Sequence, residues 1–306
     1  MQSLQQLVAD ELAIPAQPQV VGFAAHIAAQ YPDAARAVLF YGSCLRSEQL
    51  EGQMLDFYLI VSDYDAAYDK AWLAKWNHRL PPNVFPVQHE GLSAKVAVLS
   101  ETDFLELNLP GASAVSVWAR FAQPSRLVWV ADNEVRRMAV SAIAEAPITL
   151  FQLTLPIMSS PSGHDPADIW REGFAQTYSA ELRAERNDRS GSIVDADLDR
   201  YTQFTQPVLA AIAERMGVGP NGEVQMLLSR EAALRRWSAL KRRGKILTIA
   251  RLAKAAFTYA GGIDYLAWKI NRHAGTKIEI KPWQRRWPLV AALTLVPRLL
   301  AKGAIK

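Results

Sequence analysis

Three patterns in this 306-residue chain point to an α/β domain with a mixed sheet, followed by a mainly helical domain and a basic, amphipathic helical C-terminal region. Short apolar runs bounded by loop residues alternate with helically spaced segments as far as residue 131. From Asn133 the pattern becomes helical. Charge also separates along the chain. Residues 230–306 hold 18 Lys and Arg against three acids, a net of +15, so with the whole chain at +4 residues 1–229 carry −11. An acidic body with a strongly basic last quarter implies an anionic partner for that quarter, nucleic acid or anionic lipid. Divisions are placed accordingly at 1–132, 133–222 and 223–306.

Residues 2–30 have helical spacing interrupted near Pro15 and Pro18, and His26 within them reads as a packed side chain. The runs at 37–43 and 54–61 are short, β-branched or aromatic in part, and read as strands. Residues 64–80 read as one amphipathic helix stopped by Pro81-Pro82, with Trp72 and Trp76 four apart on its core face. Asn77 and His78 at its end read as a helix-terminal polar pair. Residues 84–87 and 94–99 are the next strands, the second with Lys95 embedded in it. Ser100 to Asp103 is a capping pattern that opens a helix, broken at Leu109-Pro110-Gly111. A helix at 113–121 carries Arg120, and 126–130 is a strand.

The helical part opens with a largely apolar segment, 133–155, closed by Pro156. Asp165-Pro166 is an N-cap and first-turn pair that starts a helix to about residue 186. Another helix spans 197–216, and Gly217 to Asn221 reads as a linker. In the basic quarter 229–243 and 245–259 read as two amphipathic helices, with Arg251 and Lys254 on the polar side of the second. Residues 283–302 combine two tryptophans, a leucine-rich stretch and flanking arginines. That composition suits either an interfacial membrane segment or a helix packed on its own domain.

Half of the residues are apolar and 21% charged, a globular composition with a proper core. A single cysteine, Cys44, excludes a disulfide framework and a cysteine-based zinc site and fits a reducing compartment. It reads as an incidental small residue. The first fifteen residues have no basic stretch before an apolar core and no arginine, so neither a secretory leader nor a mitochondrial transit peptide is expected. No run approaches 18 uncharged apolar residues, and no membrane-spanning helix is expected.

Residues 40–61 carry the chemistry. An apolar run ends in Tyr41-Gly42-Ser43, and a second apolar run holds one charged residue, Asp56. An acid in an otherwise buried strand is costly unless something pairs with it. A Gly-Ser turn can cradle phosphates with backbone N–H groups. Together they suggest that Asp56 holds a divalent metal and that Gly42 and Ser43 grip a nucleoside triphosphate.

This arrangement resembles the nucleotidyltransferase superfamily, whose signature is a Gly-Ser turn followed by a strand with one or two metal-binding carboxylates. An ordered series from residue 40 to about 186 resembles one family more specifically. It is the mitochondrial-type phosphatidate cytidylyltransferases, the soluble CDP-diacylglycerol synthases linked to mitochondrial translocator assembly and maintenance. Tyr41-Gly42-Ser43 is similar to its Tyr-Gly-Ser turn, and Met54-Leu55-Asp56-Phe57 to its Met-hydrophobic-Asp-Phe strand. Trp72 and Asn77, then Lys95 to Asp103, are similar to the segments that follow. Val117 to Pro124 aligns Arg120 with an arginine of the family. Tyr178-Ser179-Ala180-Glu181-Leu182-Arg183 looks like its Tyr-Ser-Gly-Asp-Phe-Arg segment. Three departures stand out: Cys44 replaces a usual Gly, Glu181 replaces an Asp, and Tyr58 sits where many nucleotidyltransferases carry a second carboxylate.

The resemblance implies an α/β nucleotidyltransferase-like domain and a reaction of phosphatidate with CTP that yields CDP-diacylglycerol and pyrophosphate. It implies Mg2+ held by Asp56 and Glu181, with Lys95 as a further catalytic residue. Tyr41, Gly42 and Ser43 are the implied nucleotide contacts, Arg120 and Arg183 the phosphate contacts. The expected partners are CTP, phosphatidate and an anionic membrane surface met through 230–306. Nucleic acid is not expected, and the expected location is cytoplasmic, peripheral on the inner face of the cytoplasmic membrane. Two other readings stay open: a nucleotidyltransferase acting on another acceptor, RNA or a small molecule, and a catalytically inactive membrane-binding scaffold.

Overall fold

The computed structural model describes residues 2–158, 165–181, 193–216, 228–258 and 281–283. Among them five strands form one mixed sheet. These are β1 (Ala35–Tyr41), β2 (Met54–Val61), β3 (Asn83–His89), β4 (Leu92–Ser100) and β5 (Ser125–Val130). The order is β3-β4-β2-β1-β5, with β2 and β4 parallel and the other neighbours antiparallel. The β3–β4 hairpin turns on Glu90 and Gly91, both at positive φ (47° and 79°), the two-residue geometry that matches strand twist.

Alternation along β2 sorts its side chains onto two faces. Leu55, Phe57, Leu59 and Val61 join Phe23, Ala24 and Ile27 of α2 (Pro18–Ala29) in one cluster. Tyr58 and Ile60 face the opposite way, into a larger cluster. That cluster draws residues from α1 (Leu4–Ala13) through to Leu240, so apolar packing joins the sheet to both later segments of the chain. Asp56 shares the parity of Tyr58 and lies under the helical half.

The long apolar helix forms as its spacing predicts. Asp132 caps it by accepting from Val135 N at 2.8 Å, and it spans Asn133–Thr154. Residues Asn133–Ile157 are long and apolar enough to cross a membrane, but 72% of the apolar window is buried by protein, which is the signature of a core helix. The helix Pro166–Ala180 opens at Asp165 and stops before Glu181, which is extended. The helix Leu198–Met216 is fixed to α1 by Arg200, which donates to both carboxylate oxygens of Glu11 in a buried pair.

Several elements differ from their sequence expectation. The span 64–80 divides into α4 (Tyr64–Ala67), following the intervening α3 (Ser43–Ser47), and α5 (Ala71–Arg79). At the break Tyr68 is extended, and its ring is buried beside Tyr31 and Phe85. Burying that ring outweighs one more helical turn. The side chains of α5 are rotated relative to expectation. Asn77 is fully buried and donates to Tyr68 Oη (3.2 Å) and the Val98 carbonyl (3.0 Å), while Trp72 and Trp76 are 43% and 48% exposed. Residues 113–121 form only a short helix, Trp118–Phe121, numbered α7 after α6 (Glu101–Glu106).

The two basic helices prove to be one, Arg230–Thr258, running through Gly244. It is α11 when the helices above are counted as α8 to α10. Its inner face is where the expectation about charge changes. Arg230 donates to the Ile157 and Met158 carbonyls, Arg236 to those of Pro110 and Ala112, Arg251 to that of Pro81, and Lys254 to that of Leu80. Arg251 and Lys254 therefore turn inward. Carbonyls left over at the ends of helices and in loops need donors, and long cationic side chains supply them.

Burial makes Lys254 a source of pH dependence. Desolvation, reinforced by the nearby Arg251 charge, pulls its ammonium down to about 7. Below that pH the lysine is charged in both states, and only the folded state disfavours the charge. The penalty is full below about pH 7 and fades as pH rises toward the ordinary lysine value, so Lys254 makes stability increase with pH across that window. Lys254→Met is expected to flatten this rise, which has a ceiling of roughly 1.4 kcal/mol per pH unit. Urea midpoints measured from pH 7 to 10 for both proteins check it; parallel profiles would contradict it.

Candidate active site

Strand register assembles the centre. Tyr41 pairs with Asp56 across β1 and β2, and Asp56 pairs with Lys95 across β2 and β4. Cross-strand partners present side chains to the same face, about 5 Å apart. Three residues separated by 15 and 39 positions in sequence thus form one row at the end of the sheet. Lys95 Nζ lies 3.6 Å from Asp56 Oδ1, and both side chains are about a quarter exposed (27% and 26%). This is a loose, solvent-touched pair, open to a ligand.

The turn before Asp56 is shaped around it. Gly42 has φ +92°, and a Cβ there would stand 3.0 Å from Asp56 Oδ2. Only glycine takes that conformation without strain and leaves room for the carboxylate. Ser43 follows, exposed, at the start of α3. Cys44 is buried with Sγ 3.6 Å from the Met54 carbonyl, a packing role. Gly42→Ala is expected to reduce turnover by about 10²-fold by pushing the carboxylate out of line, since small misplacements carry that scale of loss. Steady-state kinetics beside a thermal melt will test it, and a variant as active as wild type would remove the turn from the site.

A second layer closes over the row. Phe121 of α7 packs on Tyr58 at 5.1 Å and on Tyr41 at 6.2 Å between ring centroids, which brings its neighbour Arg120 above them. Arg120 Nη1 donates to the Ser116 carbonyl and lies 3.5 Å from Glu181 Oε1, whose side chain is 12% exposed. Arg251 Nη1 donates to Ser116 Oγ at 2.9 Å, so Ser116 links the two guanidiniums. Burial by itself would lower Arg120, but the nearby carboxylates, Glu181 first and then Asp56, outweigh it and hold the guanidinium raised. Arg251 is lowered, first by burial and also by Arg120. The Tyr41 and Tyr58 phenols are raised by burial and by Asp56, so both stay neutral hydrogen-bonding groups.

The residues singled out in the sequence therefore converge: Tyr41, Gly42, Ser43, Asp56 and Lys95 on the sheet end, with Arg120 and Glu181 over it. Arg183 lies outside the described residues. The participation of Arg251 was not legible, because its spacing on a basic helix suggested an outward position. Tyr58 occupies the next position on the Asp56 face and offers no second carboxylate. The donor set fits a magnesium ion that binds through one carboxylate together with substrate phosphates, the usual habit of that ion, rather than a cage made by protein alone. Glu181 is already engaged by Arg120. A separate group, Asp63 at the cap of α4, Asp65 in α4 and His78 in α5, holds its ligand atoms within 4.8 Å of one another, all exposed.

No protein-family model matches the chain, and no curated protein matches it. Among solved structures it is similar to a nucleotidyltransferase-like protein from Exiguobacterium sibiricum 255-15. Identity is 12%, coverage 93% of this chain and 91% of that one, and the TM-score 0.27.

Proposed function

We propose that this chain is a nucleotidyltransferase, and specifically a CTP:phosphatidate cytidylyltransferase that makes CDP-diacylglycerol and pyrophosphate at an anionic membrane surface. The observation that carries the reading is the row Tyr41–Asp56–Lys95 beneath Arg120: one carboxylate at a glycine turn, ringed by cations. The choice of phosphatidate and CTP rests on the ordered resemblance of residues 40–186.

In the proposed step an oxygen of the phosphatidate phosphate forms a bond to the α-phosphorus of CTP. The bond from that phosphorus to the β-bridging oxygen breaks, and pyrophosphate leaves. Such transfers depend on positioning and charge neutralisation more than on covalent help. Asp56 would hold a magnesium ion, which would supply charge neutralisation to the triphosphate. Lys95 and Arg120 hold phosphate oxygens, and Ser43 with the turn at Gly42 aligns the outer phosphates. Glu181 aims Arg120 through their ion pair. Tyr41 and Tyr58 wall the centre with neutral hydroxyls. Residues 230–306 bring the centre to anionic lipid on the inner face of the cytoplasmic membrane.

Pyrophosphate release from CTP with magnesium, with and without phosphatidate in mixed micelles, tests this. Release that requires phosphatidate and prefers CTP over ATP supports it. Release without phosphatidate points to another acceptor. No release with any nucleotide favours a non-catalytic scaffold, the reading that Tyr58 in place of a carboxylate keeps open.

A further inference from the structure

We infer that the outer face of α5 is a membrane-seating surface in its own right, separate from the basic C-terminal quarter, and that it takes an anionic lipid bilayer. The face is the stripe Trp72, Lys75, Trp76 and Arg79, which helical spacing sets side by side and which is exposed throughout. Two tryptophans nearly half exposed, four residues apart, are far from the usual fate of the residue. Looseness does not explain them. The helix is pinned from beneath by Asn77, which donates to Tyr68 Oη and the Val98 carbonyl, and by Asn83, which donates to the Leu73 carbonyl at 3.1 Å. Rotating the tryptophans inward would strip those buried amides of their partners. The fold therefore places a polar residue inside and holds two indoles out.

The stripe's composition selects the occupant. Indoles favour the boundary between headgroups and acyl chains, and cations between them favour anionic headgroups. Lys75 and Arg79 lie on the stripe, and no acid does. Asp65 is turned toward His78, 3.6 Å away, at its edge. Asp69 and Lys70 offset each other where α5 begins. A protein partner matched to this face would have to present acids around an apolar centre. A bilayer containing phosphatidate supplies both over any area.

The position of α5 ties this surface to the centre. Its last turn runs into Leu80 and Pro81, whose carbonyls accept from Lys254 and Arg251. Arg251 in turn holds Ser116, and the Ser116 carbonyl holds Arg120. The segment that frames Arg120 therefore continues directly from α5, while Leu73 and Ala74 pack α5 itself on the sheet face opposite Asp56. The relevance to lipid turnover rests on the proposed function; the surface itself does not.

The test uses the full chain with phosphatidylcholine vesicles, with and without phosphatidate, in a sedimentation assay. Trp72→Gln combined with Trp76→Gln should weaken partition onto phosphatidate vesicles by roughly tenfold or more, since affinity follows buried apolar area. Lys75→Glu combined with Arg79→Glu should weaken it on those vesicles and leave phosphatidylcholine vesicles unaffected. Turnover of a dispersed short-chain phosphatidate should be unchanged in both variants, which also shows that they fold. Vesicle binding equal to wild type in both variants overturns the inference. So does a Trp72→Gln/Trp76→Gln protein that binds vesicles normally but loses a dimer seen in wild type by sedimentation velocity. Absence of turnover in wild type, with the vesicle results as expected, would sink the catalytic reading and leave the surface standing.

Discussion

Asp56→Ala should abolish nucleotidyl transfer while leaving the fold intact. The carboxylate is the only acid on the row formed by β1, β2 and β4, and the Gly42 turn is moulded to it. If it holds the magnesium ion, its removal forfeits several kcal/mol of transition-state stabilisation, or at least about 10³-fold in turnover. Stability should change little. The pair with Lys95 is 3.6 Å long and partly exposed, the class of ion pair worth at most about 1 kcal/mol. Lys95 is left with access to water and bears no severe penalty. Pyrophosphate release measured beside a thermal melt separates the two effects. A variant that melts like wild type and keeps turnover within about tenfold, well short of the loss expected of a metal ligand, would show that the centre lies elsewhere.

The second large effect is expected at a residue with no chemistry. Gly244→Ala places a Cβ 2.1 Å from the Ala180 carbonyl oxygen, an impossible approach to a main-chain atom. The helix Arg230–Thr258 crosses the end of Pro166–Ala180 at this point, and no side-chain rotation relieves the overlap. Overpacking of this kind costs about 2–3 kcal/mol or more, equivalent to a fall in Tm of roughly 3–5 °C for a chain of this length. Activity should fall beyond what stability explains. Glu181, the partner of Arg120, follows Ala180 directly, and Arg251 lies two turns beyond Gly244. Gly22→Ala is the control. It also sits in a helix, but nothing lies within 4 Å of its Cβ position. There the loss of glycine's unfolded-state freedom should stabilise the protein by about 0.5–1 kcal/mol. Scanning calorimetry on both variants checks the contrast; equal melting temperatures would mean that the helix crossing is not as close as described.

The strands were legible because their information is local. Residues 37–43 and 54–61 are apolar runs ended by loop formers, and they became Ala35–Tyr41 and Met54–Val61. Asp56 stood out for the same reason, as the one charge in such a run. The caps at Ser100 and Asp165 were equally local, each a side chain satisfying an N–H two or three residues on. Misreadings fall where two distant surfaces compete for one helix. Trp72 and Trp76 have the spacing of a core stripe, yet Asn77 won the inside because Tyr68 and Val98 offered it hydrogen bonds. Arg251 and Lys254 have the look of a solvated face, yet the carbonyls of Leu80 and Pro81 drew them in. Periodicity records which residues share a face and is silent on what that face meets.

The same division runs through the candidate site. Spacing and residue type sufficed for the sheet-forming runs, for the Gly42-Ser43 turn and for the anomalous acid at Asp56, since each depends on a few consecutive residues. The row Tyr41–Asp56–Lys95 depends on strand register, and the Arg120–Glu181 pair joins positions 61 residues apart. Those arrangements come from packing: one apolar cluster, running from Leu4 to Leu240, lays the helices over the sheet end. A buried charge is stable only where a distant segment supplies its partner, and no local pattern in the chain can specify which segment that is.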